Sequence, residues 1–433
     1  MRLLRATTEP RDSRASTLSP ESAAARIVDL LVARGVDTFF GIPGGPVCPL
    51  FEALRLHRAV RLVQTRHEAH AAFAAAAYYR GAGRVAGVVV TAGPGITNVL
   101  TGVASAMLER VPLLVIAGDV AWATHGGRLA QDSGPEGIDV EQLFRPLTRA
   151  RLRVSNGRSA PAQVLSALDA ATNPSLPGPA LLVVPIDRAT ERTPAVAVSH
   201  AAKAAFGSPA PEALSSTAQL LARARRPLLV LGGGCLEHAE RVRRLVDALD
   251  VPFVTTPRAK GVVSEEHPRS LRNGGLAASH WARRYTEQPV DAALVLGSDL
   301  DDTSVGATPY IGAGGRLVHV DLESRVFGRN LPTALAVAAD LGSFAHELEE
   351  LVRARDWRST RGEDLMREAR ARSPFDASDF ESDTRAPIAP HRAVADLSRA
   401  ADGARFVTDI GEHMLFALHY LTARGPLDFN IQL

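Results

Sequence analysis

Short apolar runs alternate with longer stretches of helical spacing along the first half of the chain. The runs have the length and β-branched content of buried strands, and they cover residues 62–63, 85–91, 112–119 and 178–187. The stretch at 21–35 places apolar residues at helical spacing and ends at a Gly, as helices commonly do. Because strands and helices alternate, the pattern predicts an α/β fold whose parallel sheet is covered on both faces.

A second alternation of the same kind follows residues 191–213, a Pro- and Ala-rich stretch without periodicity that is predicted to be a linker. Its predicted elements are strands at 226–231, 291–297 and 316–321 and a charged helical stretch at 340–372. Residues 373–386 are polar and acidic, which is typical of another linker. A third domain is then predicted to begin, with a helix at 387–400, a strand at 406–409 and a turn at 411–413.

Composition excludes several classes of function. The 433 residues, of which 46% are hydrophobic, are enough for two or three domains with full cores. A net charge of +2 without a basic block argues against nucleic-acid binding. No apolar run reaches the length of a membrane span, so we expect a cytoplasmic protein without a membrane partner.

The N-terminus and the cysteines add two expectations. Residues 1–20 are rich in Arg, Ser and Thr without an apolar core, which excludes a secretory signal and predicts a disordered extension. An organellar transit peptide is the alternative, against which Glu9 and Asp12 argue. Cys48 and Cys235 are too few and too far apart for a disulfide framework or a metal site, and both are expected to be buried.

Glu68 is the first candidate for chemistry. It follows the run at 62–63 and opens an Ala-rich stretch, which places its carboxylate in the first turn of a predicted helix. Carboxylates in that position are commonly helix caps. The small residues that follow, however, allow another surface to approach closely, so burial beside a bound base would suit Glu68 to proton transfer.

Two Gly-rich turns lie at the ends of neighbouring predicted strands. Residues 41–46 (GIPGGP) follow Phe39 and Phe40, and residues 92–98 (AGPGITN) follow the run at 85–91. Backbone N–H groups of such a turn at a helix start can bind a ligand. Together with Glu68 they make three strand ends facing one crevice, which is the usual place for a ligand in an α/β sheet.

In this order and spacing the motifs resemble the pyrimidine-binding domain of thiamine-diphosphate enzymes, most closely the acetolactate-synthase-like family. The matching segments are Gly-Ile-Pro-Gly-Gly at 41–45, Arg-His-Glu at 66–68, Thr-Ala-Gly-Pro-Gly-Ile-Thr-Asn at 91–98 and Val-Pro-Leu-Leu-Val-Ile-Ala-Gly-Asp at 111–119. The resemblance implies that Glu68 hydrogen-bonds N1′ of the aminopyrimidine and so promotes deprotonation of the thiazolium C2. The residues that would line the pyrimidine side are Pro43, Gly44, Gly45, Gly93 and Asn98.

The polar, Gly-rich stretch at 126–142 is either a plain connection or a wall of the active site. In the family this region carries a glutamine that approaches the thiazolium and the substrate, and Gln131 is the candidate. The common family pattern is Phe-Gln-Glu, whereas Ala130 and Asp132 flank Gln131 here. This departure leaves the identity of the substrate open.

The second predicted domain resembles the central domain of the same family, which binds FAD in some members. The family's Arg-Phe-Asp-Asp-Arg segment is replaced at 299–303 by Asp-Leu-Asp-Asp-Thr, and the loss of both arginines removes groups suited to a phosphate. We therefore do not expect FAD. The turn at 232–234 also lacks dinucleotide spacing, because Glu237 stands where a third Gly is needed, so a structural turn is favoured over a nicotinamide site.

The turn at Gly411, Glu412 and His413 resembles the opening of the family's diphosphate-binding domain, where a Gly-x-His turn contributes to the diphosphate contacts. Without the resemblance, His413 would be taken for an ordinary surface or core histidine. The family's metal motif, Gly-Asp-Gly followed by an Asn, does not occur in this sequence. The ligands of the Mg²⁺ that bridges the diphosphate are therefore expected outside this chain.

These resemblances predict three domains: pyrimidine-binding at 21–190, central at 214–372, and the truncated start of a diphosphate-binding domain at 387–433. Three explanations of the incomplete third domain compete: a split enzyme whose remainder is a separate polypeptide, a fragment of a longer chain, or a protein that has lost catalysis. The first two are favoured, because a half-domain would leave an open sheet edge and exposed apolar surface.

The resulting hypothesis is a thiamine-diphosphate-dependent decarboxylase or carboligase of 2-oxo acids. This chain would be its large subunit or its N-terminal portion. The resemblance implies an active site shared between chains, hence a homodimer joined by a small diphosphate-binding subunit to make a heterotetramer. The alternative is a non-catalytic scaffold or regulatory partner of such an enzyme, against which the retained Glu68 argues.

Overall fold

The structure is a computed structural model that describes residues 18–127, 129–195, 207–306, 310–312, 314–376 and 382–431. Parts of several predictions lie outside the described residues: 1–17 of the extension, 196–206 and 377–381 of the two linkers, 128 of the stretch at 126–142, 307–309 and 313 of the central domain, and 432–433 of the third domain. The chain divides between residues 202 and 203 into two compact units.

A six-stranded parallel sheet forms the centre of the first unit. Its strands are β1 (Thr38–Gly41), β2 (Arg61–Gln64), β3 (Gly87–Val90), β4 (Leu114–Asp119), β5 (Arg151–Arg153) and β6 (Ala180–Pro185), in the order β2-β1-β3-β4-β6-β5. Its helices are α1 (Ala23–Ala33), α2 (Cys48–Leu56), α3 (Glu68–Ala82), α4 (Pro94–Leu108), α5 (Val140–Leu143), α6 (Ala160–Ala171) and α7 (Ile186–Thr190).

Alternation along the strands divides the first unit into three layers. Leu182 and Val184 of β6 belong to the core that contains α1 and α6. Leu181 and Val183 belong to the core on the other face, which contains α3 and α4. Both faces of the sheet are thus buried, as the runs of aliphatic residues predict.

The second unit repeats this architecture. Its six-stranded parallel sheet contains β7 (Pro227–Leu231), β8 (Phe253–Thr255), β9 (Ser270–Asn273), β10 (Ala292–Leu296), β11 (Arg316–Asp321) and β12 (Leu335–Ala338), in the order β12-β11-β10-β7-β8-β9. The helices around it are α8 (Pro211–Arg223), α9 (Ala239–Leu249), α10 (His280–Thr286), α11 (Asp302–Val305), α12 (Leu341–Arg355) and α13 (Gly362–Ala369). The predicted α/β class with parallel sheets is confirmed in both units.

A C-terminal segment, residues 382–431, completes the second unit. It contains α14 (Pro390–Ala400), β13 (Phe406–Thr408), α15 (Glu412–Tyr420) and β14 (Phe429–Ile431). β13 and β14 pair in parallel as a two-stranded sheet, with Phe406 opposite Phe429.

A buried charge cluster attaches this segment to the loops around β8 and β9. Glu265, whose side chain is fully buried, lies 2.5 Å from the Lys260 ammonium and 3.2 Å from the Arg272 guanidinium. The Glu265 carboxylate also accepts a 2.9 Å hydrogen bond from the backbone N–H of Ala423. Arg272 in turn donates to the carbonyl of Leu421 over 2.9 Å. Each charge in the cluster therefore has a partner of opposite charge or a backbone group.

Two smaller findings concern the cysteines and membranes. Cys235 is buried as expected, but the prediction for Cys48 is wrong, because Cys48 begins α2 at the surface, where its thiol lies 3.2 Å from the Gly44 carbonyl oxygen. In the described part of the chain, every helix is too short or too polar to cross a membrane.

Candidate active site in the first unit

The candidate site lies at the carboxyl ends of β2, β1 and β3, which are adjacent in the sheet. β1 pairs in parallel with both neighbours, so the three strands end at one edge. The turn at 41–46 follows β1, Glu68 follows β2, and the turn at 91–95 follows β3. The sheet order therefore brings together three segments that the sequence separates by more than twenty residues each.

Glu68 is the first residue of α3 and is only 8% exposed. Its Oε2 accepts a 3.0 Å hydrogen bond from the side-chain amide of Asn98 on α4. Within the described residues Oε1 has no hydrogen-bond partner, so the carboxylate is fixed through one oxygen and open through the other. The cap of α3 is His67, whose ring accepts from the backbone N–H of Ala69. Glu68 is thus not the capping residue itself.

Small residues allow α3 and α4 to approach closely. A Cβ added to Gly102 of α4 would lie 2.5 Å from the Cβ of Ala72 of α3, closer than real side chains come. Ala71, Ala72, Ala75 and Ala76 are all fully buried. This close packing is what lets Asn98 reach Glu68.

Thr91 packs against two glycines, and one of them, Gly95, also lies close to Glu68. A Cβ added to Gly44 would lie 2.5 Å from both Cβ and Oγ1 of Thr91, and one added to Gly95 would lie 2.9 Å from Thr91 Cγ2. The same Cβ on Gly95 would lie 3.6 Å from Glu68 Oε1. The Thr91 hydroxyl is buried and has no hydrogen-bond partner among the residues that the structure describes. A buried hydroxyl without a hydrogen-bond partner destabilises the fold unless a ligand supplies that partner. This crevice therefore fits a polar heterocycle such as an aminopyrimidine.

Gln131 packs against the turn at the start of α4. Gly93 has φ of 65° and ψ of −116°, a conformation that only Gly adopts readily, and a Cβ there would lie 2.9 Å from Cβ and Cγ of Gln131. Gln131 is exposed, whereas Asp132, Ser133 and Gly134 after it are buried. Gln131 therefore lies at the surface, and the three residues that follow it are buried.

Asp119, His125 and Asp132 form a second polar cluster, with one ligand-type atom from each lying within 4.8 Å of the others. The Asp119 carboxylate is fully buried and contacts the guanidinium of Arg153. Because this cation already balances the Asp119 charge, we interpret the cluster as a network that fixes the loop and not as a metal centre.

The other predicted site residues are placed as follows. Pro43 and Gly45 lie on the exposed turn beside Gly44, and a Cβ on Gly45 would meet only open space. Gly411, Glu412 and His413 belong to the second unit, where Gly411 precedes the first residue of α15. Glu412 and His413 are exposed there, and the His413 ring lies 3.0 Å from the Asp409 carboxylate.

The turn at 232–234 serves close packing between strands of the second unit. Gly232 donates from its N–H to the carbonyl of Leu296, and a Cβ on Gly232 would lie 2.5 Å from that of Ser298. The glycines here therefore have a structural use, in agreement with the interpretation from the sequence.

Thr91, Gly95 and Arg153 are the residues of the site that sequence reasoning did not single out. Thr91 and Gly95 stand inside the segment 91–98 that carries the resemblance, so the motif itself could have drawn attention to them. Arg153 has no such signal, because it lies in a short strand, β5, far from any motif.

Comparison with known proteins identifies the family to which both units belong. The family model described as thiamine pyrophosphate enzyme, N-terminal TPP binding domain, matches residues 21–141, and the model for the central domain of the same enzymes matches residues 214–348. Thiamine pyrophosphate is another name for thiamine diphosphate. The two matched ranges fall in the first and second units, respectively.

Several curated relatives match nearly the whole chain. The acetolactate synthase isozyme 1 large subunit of Escherichia coli (strain K12) is 30% identical over 422 residues, which cover 95% of this chain and 71% of the relative. The acetolactate synthase large subunit of Parasynechococcus marenigrum is 29% identical, with 94% and 66% covered, and acetolactate synthase 1, chloroplastic, of Zea mays is 28% identical, with 94% and 64% covered. The chain thus spans about two thirds of the length of these relatives. With its two family domains and these similarities, the chain belongs to the thiamine pyrophosphate enzyme family, within which it is similar to acetolactate synthase large subunits.

Proposed function

We propose that the chain provides the pyrimidine-binding and central domains of an enzyme that decarboxylates a 2-oxo acid and then protonates the acyl remainder or joins it to a second carbonyl compound. The observation that carries the proposal is the open Oε1 of buried Glu68 beside the partnerless hydroxyl of Thr91. When bound, thiamine diphosphate supplies the nucleophilic carbon and the electron sink for loss of CO₂.

The roles of the residues follow from their positions. Glu68 holds or accepts a proton at Oε1, while Asn98 keeps the carboxylate oriented through Oε2. Pro43, Gly44, Gly45 and Gly93 line the pyrimidine side, where the three glycines present backbone without a Cβ. Gln131, exposed beside Gly93, contacts the substrate.

The diphosphate side would involve Gly411, Glu412 and His413. Backbone N–H groups at the start of α15 favour an anion. Mg²⁺ would take its ligands from outside this chain, and FAD is not part of the proposal. A homodimer of this chain with a small diphosphate-binding subunit, acting in the cytoplasm, would complete the enzyme. Relatives named as large subunits support a second subunit but leave its nature open.

Glu68→Gln tests the proposal directly. We expect turnover of the completed enzyme to fall at least about a hundredfold, because the variant can no longer exchange a proton at this position. The control is Glu52→Gln on α2, a carboxylate paired with Arg55 at the surface, which should keep turnover near the parent value. Turnover of the Glu68 variant within tenfold of the parent would contradict the assigned role.

A second readout separates the enzyme from the scaffold alternative. We expect thiamine diphosphate with Mg²⁺ to raise the melting temperature of the completed complex, since a ligand that binds only the folded state stabilises it. A non-catalytic scaffold predicts that Glu68→Gln changes neither this shift nor the turnover of the complex.

A further inference from the structure

Arg153 attaches the loop that carries Gln131, residues 129–139, to the sheet. This side chain lies on β5, is 11% exposed, and its Nη2 donates a 2.9 Å hydrogen bond to the carbonyl of Ser133. Its Nη1 contacts Asp119 at the end of β4, and its Nε donates to Glu141 over 2.7 Å. One guanidinium thus joins two strands, the loop and α5.

Asp119 completes the attachment from the other side. Its Oδ1 accepts hydrogen bonds from the N–H of Ser133 over 3.2 Å and of Val120 over 2.9 Å. Ser133 is therefore fixed at both backbone groups, its N–H by Asp119 and its carbonyl by Arg153. Asp119 and Ser133 are fully buried and the Arg153 side chain is only 11% exposed, which favours a rigid arrangement.

Gln131 is two residues before this fixed point. Its backbone is left-handed, with φ of 61°, a conformation that is strained for a residue other than Gly. The buried hydrogen bonds of Ser133 provide a reason why Gln131 keeps this conformation, in which its side chain packs against Gly93.

We propose that Arg153, through its pairing with Asp119, positions the loop so that Gln131 meets the substrate. The inference rests on the proposed function for the role of Gln131, but the attachment of the loop is a property of this chain alone. Arg153 is a positioning residue, since it acts through its hydrogen bond to Ser133.

Hydrogen–deuterium exchange tests the attachment without any assay of activity. In Arg153→Met we expect amides of residues 129–140 to exchange at least tenfold faster, while those of α3 and α4 keep the parent rates. Arg151→Met is the matched control, because Arg151 lies on the same strand but donates to Thr148 and Arg145. Unchanged exchange in 129–140, or equal changes in both variants, would overturn the proposal.

Should Arg153→Met fail to fold, Arg153→Lys and Asp119→Asn replace it. Each keeps a polar side chain in place but weakens the pairing between residues 153 and 119. Each should therefore raise the rate of amide exchange in residues 129–140. Normal exchange in both would again overturn the proposal.

A double-variant cycle on the completed enzyme then tests the link to Gln131. Arg153→Met and Gln131→Ala should each raise KM for the 2-oxo acid about tenfold, with the concentration of thiamine diphosphate for half-activation changed less than threefold. The double variant should be no worse than Gln131→Ala, because both act on one contact. Additive effects would show that Arg153 does not act through Gln131. Failure of the proposed function would appear separately, as normal turnover in Glu68→Gln.

Discussion

At the scale of single residues, the site depends as much on absent side chains as on Glu68. Gly44 and Gly95 leave room for Thr91, and Gly93 leaves room for Gln131. A Cβ on Gly95 would lie 3.6 Å from Glu68 Oε1 and would occupy space beside this oxygen. The packing around Glu68 is therefore set by the close approach of backbone segments.

Gly44→Ala tests this directly. Because the new methyl would lie 2.5 Å from Thr91, we expect the free energy of unfolding to fall by about 1–3 kcal/mol and thiamine diphosphate to bind more weakly. Gly45→Ala is the control, since its methyl would meet open space, and it should stay within about 0.5 kcal/mol of the parent. Denaturant unfolding of both variants measures the difference, and equal stabilities would contradict the packing argument.

At the scale of elements, α15 and β14 depend on contacts with the loops around β8 and β9. Glu265 contributes to this contact from a fully buried position, whereas the neighbouring Glu266 forms an exposed pair with Arg424 of the same segment. Two adjacent carboxylates thus contact the same C-terminal segment, but one is buried and the other is exposed to solvent.

Glu265→Gln should reduce the free energy of unfolding by about 3–5 kcal/mol, because Lys260 and Arg272 would be left buried without their carboxylate. Burial already lowers the pKa of Lys260 to about 8, which indicates how costly its charge is here. Glu266→Gln should cost less than about 1 kcal/mol, since solvent screens the exposed pair. Denaturant titration of both variants measures the loss in free energy of unfolding. Similar losses in the two variants would refute a special role for the buried charge cluster.

His419 of α15 makes the contact between this helix and the loops around β8 and β9 sensitive to acid. Its Nε2 accepts from the N–H of Asp376 over 3.0 Å, and its Nδ1 lies 3.4 Å from the carbonyl of Ala277. Burial, aided by the charges of Arg283, Arg272 and Lys260, lowers the pKa of His419 from 6.5 to about 4. The neutral ring is therefore the form that fits the folded state.

The sign of the pH effect follows. As pH falls below 6.5, the unfolded chain takes up a proton at His419 that the folded chain refuses until about pH 4, so stability is lost across this window. The loss at pH 4 amounts to at most about 3 kcal/mol. We expect His419→Gln to show a flatter dependence of melting temperature on pH between 7 and 4 than the parent. The exposed His413→Gln should retain the parent slope, and a parent-like slope in His419→Gln would contradict the prediction.

At the scale of the whole molecule, exposed apolar residues are concentrated in the C-terminal segment. Within the described residues, Ile388, Leu397, Val407, Ile410 and Leu415 are exposed there, and Val407 reaches 80%. The paired strands β13 and β14 have no further strand beside them in the described part of the chain. An open edge with apolar neighbours favours association.

We therefore expect the isolated 433-residue polypeptide to self-associate, and Val407→Thr with Ile410→Thr to weaken that association about tenfold or more. Leu108→Thr is the control, because Leu108 is 74% exposed but belongs to the first unit. Sedimentation velocity over a range of concentrations measures the effect. An equal effect of the control would indicate that exposure anywhere on the surface, and not this segment, drives association.

The sequence by itself determined the local part of this protein. The aliphatic runs predicted β3, β4, β6, β7, β10 and β11 nearly to the residue, because a strand buried on both faces must be apolar throughout. The strands β5, β8, β9, β12 and β14 were not predicted. Of these, Arg151–Arg153 and Ser270–Asn273 are too polar to carry that signal. Glu68 and Asn98 were found through the order of the motifs.

Tertiary structure alone decided which of these residues meet. The bond between Glu68 and Asn98 spans 30 positions, and the contact between Arg153 and Asp119 spans 34. Periodicity records which face of an element is buried, but it does not record which elements are neighbours. That depends on the order β2-β1-β3-β4-β6-β5, which places β5 and β4 on either side of β6 and thereby brings Arg153 to the base of the Gln131 loop.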